Sequence, residues 1–236
     1  MHGWMRRANS GRKQQIDFMT EEHLTRRPLT SRDTKWAKAM AHWLVRFGFR
    51  PNQISILSLA CGCLASLALI EAGRMVHICR GLLFLAAAVF IQLRLLCNLF
   101  DGMVAIEGGL KTKSGELFNE LPDRFSDAVI LVGAGYAVPA TEWLHGLGWL
   151  AAVLSIITAY VRTLGVSAGT SQHFIGPMAK PQRMALLTAV CVAMSGLVFV
   201  GTPVDLVHPA LGIMSAGCMV TIMRRVRRIL RELESQ

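Results

Sequence analysis

Two stripes of polar side chains interrupt an otherwise apolar sequence. The stretch CNLFDGMVAIEGGLKTKSGELFNELPDRFSD, residues 97–127, lies between long apolar runs. Asn98, Asp101 and Ala105 are three and four residues apart, so they share one face of a helix. After Gly115, the residues Glu116, Asn119, Glu120, Asp123 and Asp127 form a second stripe of helical spacing. The short Gly-rich link EGGLKTKSG allows two antiparallel helices to turn these stripes toward each other. The outcome is a cluster of hard oxygen ligands in a polar cavity. Carboxylates left alone in lipid cost several kcal/mol each, so they need a cation, a basic partner or water. Mg2+ or Mn2+ prefers such ligands and often works on phosphates. The plainer alternative is that the acids pair with arginines and only hold helices together.

The surrounding elements must be those of a membrane protein. The chain has 236 residues, 53% hydrophobic and 17% charged, with a mean hydropathy of +0.42. A soluble domain of this length carries more charge and shorter apolar runs. The net charge is +10, and it is clustered: residues 1–53 hold eleven Lys/Arg against four Asp/Glu, and RRVRRILRELESQ at the end holds five Arg. Beside apolar spans, such clusters point to an anionic membrane surface rather than nucleic acid. The start, MHGWMRRANSGRKQQ, has no apolar h-region, so no signal peptide is expected. The six cysteines are scattered and are expected to be reduced packing residues, with no disulfide framework or zinc site.

Apolar segments near 54–72, 80–101, 117–138, 146–164, 183–201 and 206–223 are each about long enough to cross a bilayer core of about 30 Å. The fold class expected is therefore all-α: a polytopic membrane protein with six transmembrane helices and an N-terminal interfacial amphipathic helix. Its parts are a basic tail (1–30), the amphipathic helix (31–50), the membrane domain (51–223) and a basic C-terminal tail (224–236). In the amphipathic part, Trp36, Met40, Trp43, Leu44 and Phe47 share a face, opposite Lys35, Lys38, His42 and Arg46, with Ser31 or Asp33 as cap. The distribution of Lys and Arg puts both termini and the acidic stretch on the cytoplasmic side, which for a bacterial protein means the inner membrane. His145, His173 and His208 read as isolated interfacial or loop residues.

The acidic stretch resembles the signature of the CDP-alcohol phosphatidyltransferase family, D-x2-D-G-x2-A-R-x8-G-x3-D-x3-D. Asn98 stands at the first Asp, followed by Asp101, Gly102 and Ala105; Ile106 replaces the Arg. Gly115 follows, then Asn119 at the third Asp and Asp123 at the fourth. The helix before RPNQIS and the segment YVR…KPQRM extend the likeness along the chain. The resemblance implies transfer of a substituted phosphate from a CDP-linked, CDP-diacylglycerol-like lipid to an alcohol or phospho-alcohol acceptor, with release of CMP. It also implies one or two Mg2+ or Mn2+ ions on the pyrophosphate, held by Asn98, Asp101, Asn119 and Asp123, with Asp123 as base toward the acceptor. Glu120 can restore charge lost at Asn119. Gly102, Ala105 and Gly115 would let the nucleotide approach closely; their alternative use is tight helix packing. Arg124, Arg162, Lys180 and Arg183 are candidates for an acceptor phosphate, against the alternative of a solvated basic loop.

Two Asp replaced by amides remove about two charges from the metal set, which weakens affinity or favours one ion over two. They also keep a second class of function open, a catalytically inactive relative that binds lipid or nucleotide or acts as a membrane scaffold. A transporter is a third class, with less support, because the acids sit at one face. No nucleic-acid partner is expected, and formation of a homodimer is left open. Finally, Arg94 lies seven residues before Asp101, about 10 Å deeper at 1.5 Å per residue. The third span runs the opposite way, which brings Asp127 level with Arg94. An Arg94–Asp127 ion pair is expected as the floor of the cavity.

Overall fold

The computed structural model describes residues 34–109 and 115–235, and only the backbone at residues 115, 116, 118 and 119. The basic tail, residues 1–30, and the expected caps Ser31 and Asp33 lie outside the described residues. Regular structure among the described residues is all helical: α1 (Lys35–Arg46), α2 (Pro51–Arg74), α3 (His77–Glu107), α4 (Gly115–Gly135), α5 (Glu142–Ser167), α6 (Lys180–Val200) and α7 (Val207–Glu234).

Four of these, α2, α3, α5 and α6, are long and apolar enough to cross a membrane. Of the other three, α1 is only 12 residues long, and the acids of α4 and the arginines that end α7 dilute their apolar character. Pro51 opens α2, and the Gln53 side chain accepts the Arg50 backbone N–H at 3.0 Å. Helix α3 runs unbroken through Arg94, Asn98 and Asp101. Its 31 residues span about 46 Å, more than the thickness of a bilayer core of about 30 Å. Helix α7 continues to Glu234. The expected separate tail at 224–236 is thus, through 234, the last turns of a helix; Arg and Leu sustain helix well, and no breaker intervenes.

Helix α2 packs on α3 and α4, α3 on α6 and α1, and α5 on α4 and α7. Small residues line the closest approaches. Gly62 of α2 lies against Ser126 of α4, Ser66 against Gly133, and Gly135 of α4 against Gly148 of α5. In lipid such close backbone contact supplies the dispersion that holds helices together. Helix α1 has three faces rather than two. Ala37 and Ala41 are fully buried in a cluster with Leu99, Met103 and Val104 of α3, while Trp36, Met40, Trp43 and Phe47 are exposed. His42 Nδ1 lies 2.8 Å from Glu107 at the end of α3.

The link between α5 and α6 is tied to the end of α7. The Ser171 backbone N–H donates to Glu232 at 2.8 Å, and His173 Nε2 lies 2.6 Å from the same carboxylate. The Ser171 N–H above all holds the Glu232 carboxyl below its usual range. Gly176, at φ +124°, passes so close to α7 that a Cβ there would sit 2.4 Å from Thr221 Cγ2.

The small-residue seam makes a direct prediction. A Cβ on Gly133 would lie 2.3 Å from Ser66 Oγ and 2.8 Å from the Ser66 carbonyl oxygen, whereas nothing lies within 4 Å of one on Gly146. Gly133→Val should destabilise the detergent-solubilised protein by about 1–3 kcal/mol or more. Gly146→Ala should leave its melting temperature nearly unchanged. Equal shifts for the two would contradict the packing.

Candidate active site

Helices α3 and α4 touch only sparingly along their backbones, and long polar side chains bridge the space between them. Arg94 reaches from α3. Its Nη2 lies 2.7 Å from Asp127 Oδ1 and 3.1 Å from Asp123 Oδ1, and it also donates to the Asp123 carbonyl oxygen at 3.2 Å. Arg183 enters from α6, with Nη2 3.2 Å from Asp127 Oδ2. Its Nη1 donates to the Met178 carbonyl oxygen at 3.0 Å. Lys180, one turn earlier on α6, places its ammonium on Asp123 Oδ2. Arg94, Arg183, Asp101, Asp123 and Asp127 are all buried.

One turn nearer the helix ends the groups are neutral or acidic. The Asn98 side-chain amide donates to Asp123 Oδ1, and its oxygen accepts from Ser58 Oγ at 2.6 Å. Ser55 Oγ donates to Asp101 Oδ2 at 2.9 Å. Asp101 also lies within electrostatic range of Asp123 and Lys180. Ser55 and Ser58 were not anticipated from the sequence. The signal was there: Ser55, Ser58, Gly62 and Ser66 form a small-residue stripe of helical spacing in α2.

The expected site residues thus separate into groups. Asn98, Asp101 and Asp123 come together, and Arg94 and Asp127 lie beneath them. Gly102 is buried beside Asp101, and Ala105 is half-buried a turn later. Gly115 opens α4, and the Asn119 side chain lies outside the described residues. Glu120 does not join the oxygen cluster. Its Oε2 accepts from Arg124 at 2.5 Å and its Oε1 from Arg162 at 2.8 Å, because guanidinium forks a turn away offer better partners than two more carboxylates. The proposed set of four phosphate-binding cations also divides. Lys180 and Arg183 are taken by Asp123 and Asp127, since buried carboxylates require compensating charge. Arg124 and Arg162 remain together, the latter with its guanidinium 5.5 Å from the Phe174 ring centroid. His208 is neither isolated nor in a loop. It is buried near the opposite end of α4, 2.6 Å from Asp205, and its Nε2 is 3.2 Å from the Gly135 carbonyl oxygen.

Among the described residues no three His, Cys, Asp or Glu converge on one point. The local donor set is smaller and consists of oxygen: two carboxylates, Asp101 and Asp123, and the reversible amide of Asn98. That set suits one hard divalent ion, with the Lys180 ammonium now holding a positive charge against Asp123.

No family model matches the chain. Over 213 residues it is 24% identical to a phosphatidylinositol phosphate synthase of Mycobacteroides abscessus, covering 85% of this chain and 87% of that protein. The Mycobacterium tuberculosis phosphatidylinositol phosphate synthase with CDP-DAG bound matches it with a TM-score of 0.67 at 19% identity, over 83% of this chain and 94% of that one. The fold is that of the solved synthase. A second structure of the same synthase, in complex with manganese and citrate, matches with a TM-score of 0.67 at 20% identity, over 82% of this chain and 88% of that one. Phosphatidylinositol phosphate synthases are CDP-alcohol phosphatidyltransferases, the family whose signature spacing the segment from Asn98 to Asp123 resembles.

The buried charges lead to a stability prediction. Asp127→Leu leaves the Arg183 guanidinium without a carboxylate and Arg94 with Asp123 alone, whereas Arg94→Met leaves Asp127 with Arg183. Each loss should cost about 3–5 kcal/mol, the first more than the second. The double variant should recover part of the loss, limited by Arg183. Thermal unfolding in detergent measures all three; additive losses would contradict a shared network.

Proposed function

We propose that the chain transfers a phosphatidyl-type group from a CDP-linked lipid to an alcohol and releases CMP. The observation that carries this reading is Asp123, a buried carboxylate held on α4 beside Asp101 and Asn98 at signature spacing, in a fold shared with a phosphatidylinositol phosphate synthase. In this reading six helices, α2 to α7, cross the membrane. Helix α1 lies in the interface with its tryptophans in lipid, both termini are cytoplasmic, and the cavity opens to the cytoplasm. The lipid's acyl chains stay in the bilayer and its pyrophosphate enters between α3 and α4.

Asn98, Asp101, Asn119 and Asp123 are the residues that would hold a Mg2+ or Mn2+ ion. Bound there, the ion would neutralise phosphate oxygens and favour departure of CMP. The chain's own groups do the rest. Lys180 leaves Asp123 Oδ2 for the incoming pyrophosphate, which frees that oxygen to take the acceptor hydroxyl's proton. The acceptor oxygen then bonds to the lipid-side phosphorus as the bond to CMP breaks. Arg94 keeps Asp123 aligned through its carboxylate and its carbonyl oxygen. Gly102 and Ala105 leave room for the nucleotide, with Gly115 at the start of the facing helix. Most of the rate gain would come from positioning and charge neutralisation. A second reading, a relative that binds the lipid without turnover, is favoured by the amides at 98 and 119 and by Lys180 on Asp123.

CMP release separates these readings. Purified protein with CDP-diacylglycerol, Mg2+ or Mn2+ and a panel of alcohols should release CMP. Asp123→Asn should lower turnover at least a hundredfold while lipid binding persists. Binding without CMP release from any alcohol would favour the second reading, and near-normal turnover in Asp123→Asn would remove Asp123 as the base. For topology, cysteines placed at Ser10 and Ser235 should be protected from impermeant thiol reagents in right-side-out vesicles. Labelling of either would reverse the orientation.

A further inference from the structure

Arg124 and Arg162 form the one pair among the four candidate phosphate-binding cations that is not committed to Asp123 or Asp127. Their side chains retain 22% and 15% exposure, so the pair sits at the edge of the cavity rather than in its floor. Two convergent guanidinium groups make a fork suited to a phosphate monoester. That fork is already filled. Arg124 donates to Glu120 Oε2 through both Nε, at 3.2 Å, and Nη2, at 2.5 Å, and Arg162 Nη2 donates to Oε1 at 2.8 Å. Both carboxylate oxygens are used, each by a different arginine.

We propose that Glu120 is a specificity-determining residue, a built-in carboxylate in the place an acceptor phosphate would take, which restricts the chain to acceptors without a phosphate. The proposal rests on the transferase reading and names its acceptor class. A phosphorylated acceptor would have to expel Glu120 from two guanidinium groups. Glu120 is four residues from Arg124 on the same helix, so its carboxylate is held in place with little loss of freedom. It halves the positive charge of the pair and occupies the facing donors. An incoming phosphate would also meet a like charge at contact distance. Lys180 and Arg183 offer no substitute: Arg183 balances Asp127, and Lys180, once it leaves Asp123, is taken up by the pyrophosphate in the transferase reading. A neutral polyol meets none of these obstacles, because its hydroxyls can donate to Glu120 and accept from the remaining guanidinium N–H groups.

Two measurements on the full-length protein in nanodiscs test this. The first is equilibrium binding of inorganic phosphate by calorimetry, which needs no turnover. Wild type should bind no better than Arg162→Ala. Glu120→Gln should bind at least tenfold tighter, and Glu120→Gln/Arg162→Ala should lose that gain. Tight phosphate binding by wild type that is lost in Arg162→Ala would overturn the proposal, since Glu120 would then be a displaceable latch. An unchanged affinity in Glu120→Gln would also overturn it. The second is CMP release from CDP-diacylglycerol with glycerol against glycerol 3-phosphate. Wild type should favour glycerol, and Glu120→Gln should shift the ratio of kcat/KM about tenfold toward the phosphate. A wild-type preference for glycerol 3-phosphate would overturn the proposal. Absence of CMP release with every alcohol would instead count against the transferase reading, and the phosphate-binding series would still decide the role of Glu120.

Discussion

The structure depends on how it neutralises buried charge. Among the described residues, Arg94 and Arg183 are the largest fully buried side chains, and they converge on Asp127 from α3 and α6. Each buried ion costs several kcal/mol in desolvation, so none of these groups is tolerable without the others. Asp127 therefore fixes the register of three helices at one level of the bundle. Asp123 lies one turn nearer the helix ends and shares Arg94, but its second oxygen faces Lys180. Counting Asp101, three carboxylates meet three cations, Arg94, Lys180 and Arg183, in the cavity. In the proposed reading, a cation or substrate entering a site balanced in this way would compete with Lys180 rather than fill an unbalanced hole.

The apolar part of the molecule makes that arrangement reachable. Gly62, Ser66 and Gly133 bring α2 against α4 at backbone distance. Helix α2 also packs along α3, where its short hydroxyls, Ser55 and Ser58, reach Asp101 and Asn98. Ser58, by donating to the amide oxygen, fixes Asn98 with its nitrogen toward Asp123. A ligating amide would have to turn its oxygen inward, so the price of metal binding at Asn98 includes the Ser58 hydrogen bond.

Much of this was legible in the sequence, and the losses have identifiable causes. Long apolar runs and helical spacing locate the starts of α2 to α7 within about four residues, but α3 and α7 run on to Glu107 and Glu234, well past the apolar runs, because polar and basic residues sustain a helix too. The 1.5 Å rise per residue brings Arg94 level with Asp127, and the two lie 2.7 Å apart. Spacing within one helix pair does not reveal partners on other helices. Ser55 and Ser58 precede the acidic stretch by some forty residues, and Arg183 follows it by more than fifty. Lys180 and Arg183 read as candidates for an acceptor phosphate, not as partners of Asp123 and Asp127, because direction is invisible when a residue sits at a helix start. Glu120 lies near the acidic stripe, but its carboxylate leans toward Arg124 and Arg162, since a single helix position can serve either side.

In the proposed reading, amides at Asn98 and Asn119 and a carboxylate from Glu120 between two arginines would change the site in one direction. Both would lower its affinity for highly charged ligands, one for metal ions and one for phosphorylated acceptors. The most direct test of this account is an experimental structure of the protein with CDP-diacylglycerol and Mn2+. The account predicts the pyrophosphate between α3 and α4, beside Asp101 and Asp123, with Lys180 moved off Asp123 and onto a phosphate oxygen. A pyrophosphate bound elsewhere, with Lys180 still on Asp123, would contradict it.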